Sequence, residues 1–81
     1  MGTSDGRVHR GRVRSWQVDD GWGVIESADF GDPVWVHYSM LEGFGPGEFR
    51  QLRVGAEVEM TVESAEQDEF RLRAIWVRAI G

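Results

Sequence analysis

The chain has 81 residues, no cysteine and a formal net charge of −5. That length allows one small domain with a thin core, and the missing cysteines exclude a disulfide framework or a thiolate metal site. Apolar residues at 41% and charged residues at 28% exclude a disordered chain.

No apolar run approaches the roughly 18 residues of a membrane span, and no signal-peptide pattern opens the chain. Met1-Gly2 opens like a myristoylation signal, but Gly6 stands where Ser or Thr is required. The expectation is a soluble, cytoplasmic protein with no membrane partner. Fourteen acids outnumber nine bases, all of them Arg. Taken alone, that balance argues against holding nucleic acid by bulk electrostatics. The distribution is less even than the sum. Arg7, Arg10, Arg12 and Arg14 crowd the first 14 residues, opposed only by Asp5. Residues 15–49 hold seven acids and no Arg or Lys, and arginines return from Arg50 onward.

In chain order, residues 1–9 lack periodicity and read as a flexible tail, leaving 10–81 as one domain. The rest reads as short strands separated by turn signals, the pattern of a small barrel or sandwich. Arg12 to Val18 is the first strand, with Val13, Trp16 and Val18 as apolar members. The step from 13 to 16 breaks alternation and predicts a bulge near Ser15. Asp19-Asp20-Gly21 is a turn, and Trp22 to Ser27 is the second strand. Residues 28–33 form a loop, and Pro33 can sit only at the start of a strand. Val34 to Tyr38 is the third strand, almost wholly β-branched or aromatic. Ser39 to Arg53, with Gly43, Gly45, Pro46 and Gly47 at its middle, is a long loop. Gly55 to Glu63 alternates cleanly, with Val58, Met60 and Val62 inward and Glu57, Glu59, Thr61 and Glu63 on a solvated face. Ser64 to Glu69 is a polar turn. Phe70 to Ile80 closes the chain as a fifth strand, although Leu72, Ile75, Trp76 and Ala79 also fall near helical spacing. Arg71 and Arg73 share a face of that strand by alternation, solvated or part of a site.

Strands two and three carry the functional signal. Alternation puts Trp22 and Val24 on one face of the second strand, opposite Gly23 and Ile25. In the third strand, Trp35 and His37 share a face and Val34 and Val36 share the other. The valines and Ile25 are natural core fillers. Trp22, Val24, Trp35 and His37 then form one cross-strand patch. Aromatics in strands are commonly core, but a small protein rarely buries both faces of a sheet. An exposed aromatic row is a stacking platform for unpaired bases, each stack contributing about 1–3 kcal/mol.

Asp20-Gly21-Trp22-Gly23-Val24-Ile25 resembles the K-G-F-G-F-I motif of cold-shock domains, and Val34-Trp35-Val36-His37-Tyr38 resembles their V-F-V-H-F motif. Gly11-Arg12-Val13-Arg14 is similar to the family's opening G-K-V-K, and Phe49-Arg50-Gln51-Leu52 followed by Gly55 to its later F-K-x-L…G. The resemblance runs from about residue 11 to 80. It implies an all-β, five-stranded antiparallel OB-fold barrel that binds single-stranded RNA or DNA, as a cold-shock RNA chaperone or a transcription or translation regulator does. Carried over by position, the implied nucleic-acid-binding residues are Arg14, Trp22, Val24, Trp35, His37, Tyr38 and Phe49, with Arg50 nearby. The pattern departs at Ser15, where the family has Trp and Trp16 follows. It departs again at Asp20, which reverses the motif Lys, and at Val24, which cannot stack.

No catalytic residues are expected: two histidines without a recognised nucleophile spacing do not make a triad. No metal or other cofactor is expected either, since His9 and His37 lack liganding partners at a recognised spacing. The competing reading is an OB-fold protein-interaction module using the same aromatic patch. Trp76 is a candidate contact for a weak homodimer or ordinary packing at the barrel end.

Overall fold

The computed structural model of the chain describes residues 6–45, 47, 48, 50–67 and 69–80. Its strands are β1 (His9–Gln17), β2 (Trp22–Glu26), β3 (Val34–His37), β4 (Leu41–Glu42), β5 (Glu57–Gln67) and β6 (Phe70–Ala79), with a 3-10 turn over Tyr38–Met40. Strand β1 therefore begins at His9, one residue before the expected domain boundary. It ends at Gln17, so Val18 lies in the turn and is 52% exposed instead of completing the strand. The Gly21 N–H donates to the Gln17 carbonyl at 2.8 Å and closes that turn.

Five strands close into a ring. Strand β1 pairs with β2 and β5, β2 with β3, and β5 with β6, all antiparallel; β3 and β6 then meet in parallel through Val34↔Leu72 and Trp35↔Arg73. A ring of five cannot alternate direction all the way round, so one junction has to be parallel. The expected barrel is thus present with one parallel seam. The short β4 is an addition, pairing in parallel with β6 through Leu41↔Val77 and Glu42↔Arg78.

Alternation fills the interior. Val13, Ile25, Val34, Val36, Val58, Met60, Val62, Ala74 and Val77 are buried in one cluster, with Leu41 and Leu52 joining from the long connection. At about 25 cal/mol per Å² of apolar surface removed from water, branched side chains are efficient fillers of so small a core. The connection from 39 to 53 is consequently less free than its glycines imply, because the 3-10 turn, β4 and both leucines tie it to the barrel. Pro46 in that loop lies outside the described residues. Residues 70–79 form a strand and not a helix, paired along β5 from Val58↔Ala79 to Gln67↔Phe70.

The bulge in β1 sets the face of every residue after it. Val13 pairs with Ile25, but Ser15 pairs with Val24, leaving Arg14 as the extra residue. Val13 is held by the Gly55–Ala56 segment, donating to the Ala56 carbonyl at 2.9 Å and accepting from Gly55 N–H at 2.8 Å. The phase of β1 therefore shifts by one, as an inserted residue requires. Ser15 shares the outer face with Val24, and Trp16 turns inward against the core.

The solvated acidic face expected on β5 is an ion-pair ladder. Glu57 meets Arg12 at 3.0 Å, Glu59 meets Arg78 at 2.6 Å, and Glu63 takes two hydrogen bonds from Arg73 at 2.9 and 3.1 Å. The Glu59 carboxylate raises the Arg78 pKa above the ordinary arginine range, chiefly by hydrogen bonding and then by charge. Among the described residues, no helix is long and apolar enough to cross a membrane.

Candidate nucleic-acid interface

Cross-strand register builds the outer face of β1, β2 and β3 in two rows. One row runs Ser15–Val24–Trp35 and the other Gln17–Trp22–His37. Directly opposed residues in antiparallel strands lie close enough for their side chains to touch. Trp35 and His37, two apart on β3, stack with centroids 5.8 Å apart and planes 27° from parallel. His37 in turn meets Tyr38 at 4.4 Å, and Tyr38 is 46% exposed. The structure thus brings Trp22, Trp35, His37 and Tyr38 onto one outward strip.

Two glycines make the strip possible. Gly21 has a φ of +73°, a region that favours glycine, and a Cβ there would meet Tyr38 Cδ1 at 2.7 Å. The Tyr38 N–H also donates to the Gly21 carbonyl at 2.8 Å, which ties the end of β3 to the start of β2. Gly23 is crossed from the inside: a Cβ there would collide with the Ser15 carbonyl and with the Trp16 ring at 2.5 Å. Trp16 therefore occupies the space under the sheet and is not a stacking plate. Its indole N–H is buried with no hydrogen-bond partner among the described residues.

His37 is oriented by the turn that follows it. Its Nδ1 accepts from the Ser39 N–H at 3.3 Å and lies 2.8 Å from Ser39 Oγ. A backbone N–H can only donate, so a neutral ring in this arrangement carries its proton on Nε2. That leaves an N–H beside the stacked rings.

The remaining sequence-predicted residues fall differently. Val24 is only 7% exposed and forms the floor of a depression between aromatic neighbours, not part of a plate. Arg14 is exposed, with Nε 3.4 Å from Glu26 Oε1. Arg50 is exposed, and no hydrogen bond, ion pair or ring contact joins it to the strip among the described residues. Phe49 lies outside the described residues. Trp76 donates its indole N–H to Glu42 and lies under the Arg78 guanidinium, 5.7 Å from the ring centroid.

Phe70 escapes sequence reasoning. It meets Trp22 edge-to-face at 6.1 Å, and with Glu69 and Pro33 it lines the depression over Val24. The only local hint is an aromatic residue opening a strand after a polar turn. The parallel seam between β3 and β6 is what carries it there.

Among the described residues, no group of three His, Asp or Glu side chains could hold a metal ion. No curated protein matches the chain. The family model described as the 'Cold-shock' DNA-binding domain matches residues 9–79. With that match over nearly the whole length and the closed barrel beneath it, the chain belongs to the cold-shock domain family, a non-catalytic binding module of the OB-fold type.

Proposed function

We propose that the protein binds single-stranded RNA or DNA by stacking unpaired bases on Trp22, Trp35, His37 and Tyr38. The observation that carries this reading is the outward strip itself, with Trp35 and His37 nearly parallel on β3. Every base has a π-face, so such a strip tolerates many sequences, and each stack contributes about 1–3 kcal/mol. Two or three stacks therefore supply useful affinity without a positive surface. The Nε2 N–H of His37 and the Arg14 guanidinium add donors for base edges. Family membership supports the same reading, since the matched model is named for DNA binding. The role we infer is that of an RNA chaperone or regulator acting on unpaired segments.

Titration with short single-stranded oligonucleotides, followed by tryptophan fluorescence, tests it. Two of the four tryptophans lie on the strip, so stacking is expected to quench emission strongly. If no oligonucleotide quenches at low salt, the reading fails and the face passes to a protein partner.

A further inference from the structure

Where Ser15 and Val24 lie side by side, the strip is interrupted by a cleft of about 550 Å³. Val24 is its floor; Trp22, Phe70 and Pro33 give it apolar sides; Arg14, Ser15 and Glu69 give it polar groups. The cleft exists because the β1 bulge turns Trp16 inward and leaves a serine outside, beside a valine. A short-floored cleft with aromatic sides takes a planar group edge-on as well as face-on.

Its charged groups cancel, one guanidinium against one carboxylate. A phosphate is poorly served by that pair, whereas a neutral ring edge carrying both acceptors and donors is well served. Glu69 is also uncommitted: Glu26, Glu57, Glu59 and Glu63 are each paired with an arginine, while Glu69 makes no hydrogen bond or ion pair among the described residues. Arg14 reaches Glu26 through Nε, which leaves its terminal amino groups as donors.

We propose that this cleft is a guanine subsite, in which Glu69 accepts from N1–H and the N2 amino group and Arg14 donates to O6 and N7. The assignment rests on the single-strand reading of the face. Guanine is the base that places two acceptors beside two donors on neighbouring edges, and arginine is the usual bidentate partner of O6 and N7. Adenine and cytosine each put a ring-nitrogen acceptor beside the amino group, which a carboxylate repels. Uracil and thymine flank their single N–H with two carbonyl oxygens. Ser15 can donate or accept and so adjusts to the base already placed.

The test compares an all-thymidine oligonucleotide with one of equal length carrying a single central guanine. The guanine strand is expected to bind about tenfold more tightly, as a bidentate edge contact implies. Inosine at that position, which lacks the N2 amino group, is expected to surrender about threefold of the gain. Glu69→Gln is expected to reduce the guanine preference to about twofold, since its amide turns one acceptor into a donor facing donors. Trp76→Ala, outside the cleft, is expected to leave the preference whole. Equal affinity for the two strands, or a preference untouched by both inosine and Glu69→Gln, overturns the guanine assignment and leaves the platform standing. Failure of both strands to bind overturns the platform reading and the subsite with it.

Discussion

On the wall where β6 meets β5 and β4, Trp76 gives its indole N–H to Glu42 and its ring face to Arg78, and Glu59 and Glu63 each hold an arginine. On the face of β1–β3, the indole N–H groups of Trp22 and Trp35 have no hydrogen-bond partner among the described residues, and the rings touch mainly other rings. The same residue types appear in both places. What separates them is whether their hydrogen bonds and ring faces are satisfied within the protein. Trp76, with its N–H and ring face engaged, is committed to the barrel wall, whereas Trp22 and Trp35 leave theirs open on the outer face; Trp16, also without a hydrogen-bond partner, is turned inward against the core. Three of the fourteen acids follow the same division, since Glu57, Glu59 and Glu63 on β5 face Arg12 of β1 and Arg78 and Arg73 of β6.

The largest effect is expected where the outer face of β1–β3 is supported from below. Gly23→Ala places a methyl group against the Ser15 carbonyl, a backbone atom that cannot yield without breaking the β1–β2 ladder. A loss of about 3 kcal/mol in urea unfolding is expected, at the upper end of overpacking costs. A change below about 0.5 kcal/mol would show that the inward turn of Trp16 does not define this face.

Next comes the contrast between the two walls. Trp35→Ala is expected to weaken oligonucleotide binding by about 2 kcal/mol, roughly thirtyfold, with little change in stability. Trp76→Ala is expected to do the reverse, costing about 1 kcal/mol of stability through its lost contacts while binding is kept. Equal losses of binding in the two variants would dissolve the distinction between the walls.

The smallest effects concern charge. Arg12→Gln removes an exposed pair with Glu57 and is expected to shift stability by no more than about 0.5 kcal/mol. Binding is expected to depend weakly on salt, with a log–log slope of about −1, because stacking carries most of the affinity and each phosphate neutralised contributes only about −0.7. A slope steeper than about −3 would mean that phosphate contacts, and not stacking, carry the affinity.

Much of this was legible in local patterning. Val58, Met60 and Val62 alternate with acids and are buried in the core as expected, and the break between Val13 and Trp16 marks a true bulge. Trp22, Val24, Trp35 and His37 could be set on one face because neighbouring strands joined by short turns leave little freedom of register. Val18 misled because an apolar residue beside a turn looks like a strand end, whereas the Gln17–Gly21 hydrogen bond places it outside. The acidic face of β5 could be read, but its arginine partners could not, since Arg12, Arg73 and Arg78 come from two other strands.

The sequence by itself determined the five barrel strands in outline, though not β4, together with the inward valines and the aromatic pair of strands, because period-two patterning and turn chemistry act over a few residues. Only the tertiary structure decided which of Ser15 and Trp16 the bulge leaves outside, that Glu57, Glu59 and Glu63 of an acid-rich chain pair with arginines, and that Glu69 and Phe70 border the outer face of β1–β3. The last of these depends on ring closure. Five strands must meet at one parallel seam, and that seam joins residues 34 and 35 to residues 72 and 73, a juxtaposition no local pattern encodes.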